Sequence, residues 1–146
     1  MKETIVFVHG MCHGAWCWEE NFIPYFEKMG YHCIAIDLPG HESPGSTRRI
    51  SYTLGDYVQA LQRTVENLAT PPIIIGHSMG GKVAMLFATT YPDMVEKLIV
   101  ADIGPKYYAP HHDDILAGLN AIDFSAKPSR AEVEEILNPF IPDFGT

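Results

Sequence analysis

The stretch PIIIGHSMGGK at residues 72–82 decides the fold of this chain. Three consecutive β-branched residues, Ile73–Ile75, predict a strand that is buried on both faces. The run Val83–Ala88 that follows is compatible with a helix. Between them lies the pattern Gly-x-Ser-x-Gly at residues 76–80, which is typical of a tight strand-to-helix turn that presents a serine nucleophile.

The spacing of this pattern has a steric reason. A turn that tight strains the backbone at Ser78, and a side chain at Gly76 or Gly80 would collide with a neighbouring element. The Ser78 hydroxyl is then pushed above the sheet, and the Met79 N–H at the start of the helix points towards the same space. The alternative is a plain glycine-rich turn. The strand, the helix and the additional Gly81 favour the nucleophile motif.

Composition limits the classes of protein that this chain can represent. With 146 residues, of which 47% are hydrophobic, the chain is long enough for one domain with a real core. Its net charge of −8 argues against binding to nucleic acid or to an anionic membrane. Three cysteines without metal-ligand spacing predict reduced thiols in a cytoplasmic protein that has no metal site. The apolar run Ile5–Val8 is too short for a signal peptide or a membrane span.

Three further segments predict strands, and helical patterns lie between them. The other strands are predicted at Thr4–Val8, Tyr31–Asp37 and Lys97–Asp102. The helices are predicted at Trp16–Met29, at about Thr53–Leu68, and from the glycine turn to about Tyr91. This alternation implies a doubly wound parallel sheet in which the first and third strands are neighbours. Ligands bind beyond the carboxyl ends of such strands, where His9-Gly10-Met11 and Ser78 both lie.

The first predicted helix carries two tryptophans, Trp16 and Trp18. Core packing is the simplest interpretation of both side chains, and contact of Trp16 with a substrate is the alternative. The chain changes character after Asp102, where a linker is followed by two short amphipathic patterns. These patterns predict helices around Asp113–Ala121 and, after a capping box at Ser129, through Leu137.

These residues resemble the α/β-hydrolase superfamily, and the likeness covers nearly the whole chain. The segment FVHGMCHGAWCW at residues 7–18 is similar to the branch of hydroxynitrile lyases and methyl-ester hydrolases. The segments GHSMGGKVAM at residues 76–85 and VADIGP at residues 100–105 are similar to a branch of small bacterial acyl-ester hydrolases. The joining of two branches suggests the hypothesis of an engineered or recombined chain.

The resemblance implies a partial α/β-hydrolase fold. Residues 1–104 would form the N-terminal part of the core, with about four strands, and residues 105–146 a linker and the beginning of a helical cap. Ser78 would be the nucleophile, and the backbone N–H groups of Met11 and Met79 would form the oxyanion hole. Asp102 matches the acid of the second branch, unless it only caps a strand end. The supporting residues would be His9, Gly10, Gly76, His77 and Gly80.

The general base is the missing part of this pattern. A serine hydroxyl needs an imidazole to take its proton, and in this family that histidine follows the final strand. The chain ends before such a strand, so we expect an incomplete triad. His77 is expected to project away from the turn, and His9 belongs to the oxyanion loop. His32 lies within a predicted strand, and His41 lies in the loop after it, where a hydrogen bond that stabilises the turn is the simplest interpretation. His111 and His112 could swing inward from the cap entrance. His13 is the remaining histidine.

The strand that ends at Asp102 would be an exposed edge that invites pairing with another chain. We therefore expect a homodimer, or a companion chain that supplies the remaining strands and the histidine. The predicted function is hydrolysis of small-molecule carboxylic esters or thioesters through an acyl-enzyme, without a cofactor. A catalytically inactive or engineered fragment and a hydroxynitrile lyase are the alternatives.

Overall fold

The computed structural model describes residues 2–41, 51–107 and 113–140. His111 and His112, which could swing inward from the cap entrance, lie outside these ranges. The chain divides into two compact units, of which the first ends at Pro105 and the second begins at Lys106. That the second unit begins a helical cap stays a prediction.

One parallel sheet of four strands forms the centre of the first unit. The strands are β1 (Thr4–Val8), β2 (His32–Ile36), β3 (Ile73–His77) and β4 (Lys97–Ala101). Their order is β2-β1-β3-β4, so the first and third strands are neighbours, as the sequence predicts. The winding reverses between these two strands, where Val8 pairs with Gly76. The predicted doubly wound sheet is confirmed, with the glycine turn at its switch point.

Six α-helices lie within the described ranges. They are α1 (Trp16–Glu19), α2 (Phe22–Lys28), α3 (Leu54–Val65), α4 (Met79–Thr90), α5 (Asp113–Asn120) and α6 (Arg130–Leu137). Capping boxes begin α3 at Thr53 and α6 at Ser129, the second as predicted. None of these helices is long and apolar enough to cross a membrane.

The prediction of one continuous helix over Trp16–Met29 is wrong. Asn21 has a φ of −123° and a ψ of −51°, and it separates α1 from α2. Pro24 explains the break, because it has no N–H to donate to the Glu20 carbonyl and its ring clashes with that carbonyl in a continuous helix.

The core lies on both faces of the sheet, and β1 is buried along its whole length. On one face, α3 and α4 pack against the sheet. The buried side chains of α3 recur at helical spacing and lie on one face; they are Tyr57, Val58, Leu61 and Val65. On the other face, Phe7 packs against Trp18 and Phe26, with ring centroids 4.9 and 5.9 Å apart.

At the edge of the described sheet, β4 is exposed on both faces. Ile99 is 50% exposed, whereas its register partner on β3, Ile75, is 9% exposed. The exposed edge that the sequence predicts is therefore present in the described part of the chain.

Candidate active site

Ser78 lies in the sharp turn between β3 and α4. Its φ of 52° and ψ of −120° form a conformation that side chains rarely adopt, and such strain costs about 1–3 kcal/mol. The Ser78 N–H donates to the Ala101 carbonyl at 2.9 Å, which ties the turn to the end of β4. The Ser78 carbonyl accepts from the Gly81 N–H at 2.9 Å as α4 begins. The predicted strained turn is present.

Close backbone packing requires glycine on both sides of Ser78. A Cβ atom on Gly76 would lie 2.5 Å from the Gly80 carbonyl oxygen. A Cβ atom on Gly80 would overlap the carbonyl oxygens of Val8 and His9. Because these oxygens belong to the backbone, they cannot rotate away. The steric reason inferred from the spacing of the motif is confirmed.

The loop after β1 lies directly against the turn. A Cβ atom on Gly10 would lie 3.2 Å from Ser78 Cβ and 3.1 Å from His77 Nδ1. The His13 N–H donates to the Gly10 carbonyl at 3.3 Å, which closes a tight turn around Met11. The structure therefore brings the predicted oxyanion loop and the predicted nucleophile together.

The predicted oxyanion donors are the backbone N–H groups of Met11, in the loop, and Met79, the first residue of α4. Neither group donates to another residue within the described ranges. The first N–H groups of a helix have no intrahelical acceptor, and this end of the helix carries partial positive charge. Both groups can therefore donate to an oxygen from outside the chain.

His9 is fully buried and joins the loop to the residue that follows β2. Its Nε2 accepts from the Leu38 N–H at 3.0 Å, so the ring proton lies on Nδ1, which donates to the Gly10 carbonyl at 2.8 Å. Burial lowers the pKa of His9; the bond to Gly10 partly offsets this effect, and nearby His41 adds to it. A neutral imidazole therefore holds the backbone of the loop.

Asp102 follows β4 and contacts His77. The carboxylate Oδ2 lies 3.6 Å from His77 Nε2, and the Asp102 side chain is 73% exposed. Its φ is 63°, so β4, like β3, is followed by a residue with positive φ. The structure thus brings Asp102 to His77, and within the described ranges no hydrogen bond joins the Ser78 hydroxyl to an imidazole.

Asp37 positions the same loop, and the sequence pattern alone does not reveal this role. Its Oδ1 accepts from the Ala15 N–H at 2.7 Å. The same oxygen lies 2.9 Å from where a Gly14 Cβ would be, so glycine is needed for this approach. The available signal was a carboxylate directly after a buried parallel strand, which places it at the ligand-binding edge of the sheet.

The two tryptophans occupy different environments. Trp18 is 6% exposed and belongs to the core, as predicted, whereas Trp16 is 58% exposed. The core-packing interpretation is therefore wrong for Trp16. Residues two apart on a helix point about 200° apart, so α1 cannot bury both side chains against one sheet.

No group of three or more His, Cys, Asp and Glu side chains within the described ranges is arranged to hold a metal ion. Cys12, Cys17 and Cys33 are all unpaired thiols. Burial raises the pKa of the Cys17 and Cys33 thiols, which disfavours their reactive thiolate form.

Known proteins resemble this chain in sequence and in structure. A family model described as "Alpha/beta hydrolase family" matches residues 5–144. The chain is 30% identical over 136 residues to the sn-1-specific diacylglycerol lipase ABHD11 of Mus musculus, a match that covers 91% of this chain and 44% of the lipase. It is 32% identical over 101 residues to Methylesterase 4 of Arabidopsis thaliana, which covers 67% of this chain and 38% of the esterase.

A solved structure extends this likeness to the fold. A marine microorganism esterase is 33% identical and superposes with a TM-score of 0.66, over 98% of this chain and 56% of that chain. The chain thus spans less than half the length of the two curated relatives, and a little over half of the esterase. The lipase match includes both halves of the chain, and the hypothesis of a recombined chain stays a prediction.

Proposed function

The chain belongs to the alpha/beta hydrolase family, and we propose that it is a serine hydrolase of small carboxylic esters or thioesters. Relatives named as a lipase, a methylesterase and an esterase support this class of reaction. One observation carries the proposal: Ser78 is held in a strained turn against the Gly10 loop. A strained serine at a strand-to-helix turn is the arrangement that exposes a nucleophilic hydroxyl.

In the proposed reaction, Ser78 Oγ attacks the carbonyl carbon of the ester. The carbonyl electron pair moves to the oxygen, which becomes negatively charged and accepts hydrogen bonds from the Met11 and Met79 N–H groups. Removing one such donor typically costs about 10²–10³ in kcat. The base passes the proton taken from Ser78 Oγ to the alcohol or thiol, which leaves as the carbonyl reforms and the ester C–O or thioester C–S bond breaks. Water, deprotonated by the same base, then attacks the acyl group, which releases the acid and restores the Ser78 hydroxyl.

The proposed acid is Asp102, which would orient a histidine and stabilise its charged form. At 3.6 Å its contact with His77 is longer than a hydrogen bond, and its exposed carboxylate can accept a second imidazole. No imidazole in the described ranges bonds to Ser78, so we propose that the base comes from outside them.

The exposed β4 supports a homodimer or a companion chain that extends the sheet and supplies this histidine. Light scattering should then give a mass above that of a single chain; a monomeric mass with a well-dispersed NMR spectrum would contradict the proposal. The three unpaired thiols support a reducing compartment such as the cytoplasm.

A fluorophosphonate probe tests the nucleophile. The wild-type chain should be labelled, Ser78→Ala should not, and the exposed control Ser51→Ala should be labelled like wild type. A folded wild-type chain that stays unlabelled even when imidazole is added as an external base would contradict the proposal and favour a catalytically inactive fragment.

Added imidazole tests the missing base. With p-nitrophenyl acetate, the isolated chain should release one equivalent of nitrophenol in a burst and then turn over slowly. Imidazole should speed the slow phase in wild type, after the rate with Ser78→Ala is subtracted. An unstimulated, fast steady state would show instead that the base lies within the 146 residues.

A further inference from the structure

We infer that His13 and Trp16 form an aromatic shelf, defined by these two side chains, which binds a flat aromatic group of the ester substrate. The inference rests on the proposed function, because it places the shelf beside Ser78. Trp16 is a substrate-contacting residue in this assignment, not a core residue.

The shelf is a stacked pair with an exposed indole. The His13 and Trp16 ring centroids lie 5.8 Å apart with an interplanar angle of 23°. The edge of the indole rests against Gly14, where a Cβ atom would lie 2.9 Å from Trp16 Cδ1 and 3.0 Å from Nε1. Gly14 thus permits a close approach that holds the ring in place while more than half of the residue is exposed. An indole that is both exposed and held offers a large flat apolar face on which a ligand ring can stack.

The shelf is continuous with the candidate active site. The His13 Nδ1 donates to the Met11 carbonyl at 2.9 Å, so the ring is attached to the residue that supplies a proposed oxyanion donor. The His13 ring also meets the His77 ring edge-on, with centroids 6.2 Å apart and an angle of 80°. His77 immediately precedes Ser78. A row of three rings therefore leads from the nucleophile to the exposed indole.

This geometry selects a flat π-system in the group attached to the ester. A phenyl ring can stack on the indole or the imidazole, whereas a cyclohexyl ring of similar size buries similar apolar area without stacking. Aromatic pairing beyond area burial predicts about 3- to 10-fold tighter binding of the phenyl compound. The comparison of the two ligands therefore isolates stacking from hydrophobicity.

Titration of the full 146-residue chain carrying Ser78→Ala tests the shelf without turnover. Methyl phenylacetate and methyl cyclohexylacetate are added separately, and binding is followed by the indole N–H cross-peaks in a ¹⁵N–¹H spectrum. The chain has two tryptophans, so two indole peaks are expected, and adding Trp16→Leu identifies them. The phenyl ester should bind more tightly and shift the Trp16 peak, not that of buried Trp18.

Two further variants decide the outcome. Trp16→Leu should remove the preference for the phenyl ester, whereas Tyr25→Leu, at another exposed aromatic residue, should keep it. Equal affinities for the two esters, no binding of either ester up to its solubility limit, or an unchanged preference in Trp16→Leu would overturn the shelf. Turnover by unmodified Ser78 is scored separately. Phenyl-selective binding without hydrolysis would remove the proposed function alone, and hydrolysis without selectivity would remove the shelf alone.

Discussion

The neighbouring strands β3 and β4 end alike and are packed differently. Each is followed by a residue with positive φ, Ser78 at 52° and Asp102 at 63°. Four of the five β3 residues are buried, whereas no β4 residue is. Backbone atoms enclose the turn at Ser78, while the Asp102 side chain is largely exposed. A positive φ is thus enforced by close backbone packing after β3, whereas the residue with positive φ after β4 has no such enclosure.

The largest expected effect is that of Gly80→Ala, which places a methyl group in the closely packed backbone around the turn after β3. The added methyl would overlap the Val8 and His9 carbonyl oxygens, so the free energy of unfolding should fall by about 3 kcal/mol or more. Gly55→Ala in α3 is the matched control, because its Cβ would meet only Thr53 Oγ1, at 3.5 Å. Its stability should rise or fall by less than about 1 kcal/mol. Urea unfolding monitored by circular dichroism measures both; equal losses would refute the backbone-packing account.

The register pair Ile75 and Ile99 tests burial on the two strands with one chemical change. Ile75→Ala should cost about 2–4 kcal/mol because it leaves a cavity in the core. Ile99→Ala should cost less than about 1 kcal/mol, because that side chain is half exposed. Unfolding by urea gives both values. A cost at Ile99 that matches the cost at Ile75 would mean that β4 is covered in solution, which is the outcome expected of a paired chain.

The end of β1 differs from the ends of β3 and β4, because the buried side chain of His9 organises the backbone there. Folding lowers the pKa of His9 from its ordinary 6.5, so at a pH near 6.5 and below the unfolded chain binds more protons than the folded chain. The stability due to neutral His9 is therefore complete above pH 6.5 and is lost as the pH falls towards the pKa of the folded state. His9→Asn should lack this part of the pH dependence, and should be less stable by about 1–3 kcal/mol at pH 7.5 because the Leu38 N–H loses its acceptor.

Urea midpoints from pH 5 to pH 8 measure this difference. The exposed control Ser51→Ala removes no titratable imidazole and should keep the wild-type slope. Parallel profiles for His9→Asn and wild type would show that His9 does not titrate against folding.

The smallest expected effect concerns the strain at the two strand ends. Ser78→Gly should raise the free energy of unfolding by about 1 kcal/mol, because glycine relieves the backbone strain. Ser78→Ala keeps the Cβ atom and should leave stability unchanged. Asp102→Gly should gain about half as much, since aspartate tolerates positive φ better than most residues. Thermal unfolding ranks the three variants. Equal stability of Ser78→Gly and Ser78→Ala would show that backbone strain at Ser78 does not lower the free energy of unfolding.

Most of the architecture was predictable from short-range patterns. The runs of β-branched residues predict β1 and β3, and the doubly wound order expected of alternating strands and helices makes these two strands neighbours. The spacing of Gly76, Ser78 and Gly80 predicts the strained turn, because only glycine allows such close backbone approach. The break of the first helix was also local, since Pro24 was visible in the sequence, but the apolar periodicity outweighed it in the prediction.

What the sequence by itself determined is the identity of the strands and the turn that carries Ser78, since each depends on local backbone preference and burial. The parallel order of the strands followed from their alternation with helices. Only the tertiary structure decided which distant groups meet there: His9 with the Leu38 N–H, Asp37 with the Ala15 N–H, and Asp102 with His77. It also decided that Trp16 is exposed while Trp18 is buried. These outcomes depend on how helices and loops pack across the sheet. A local sequence pattern describes one segment and does not specify which distant segments come into contact.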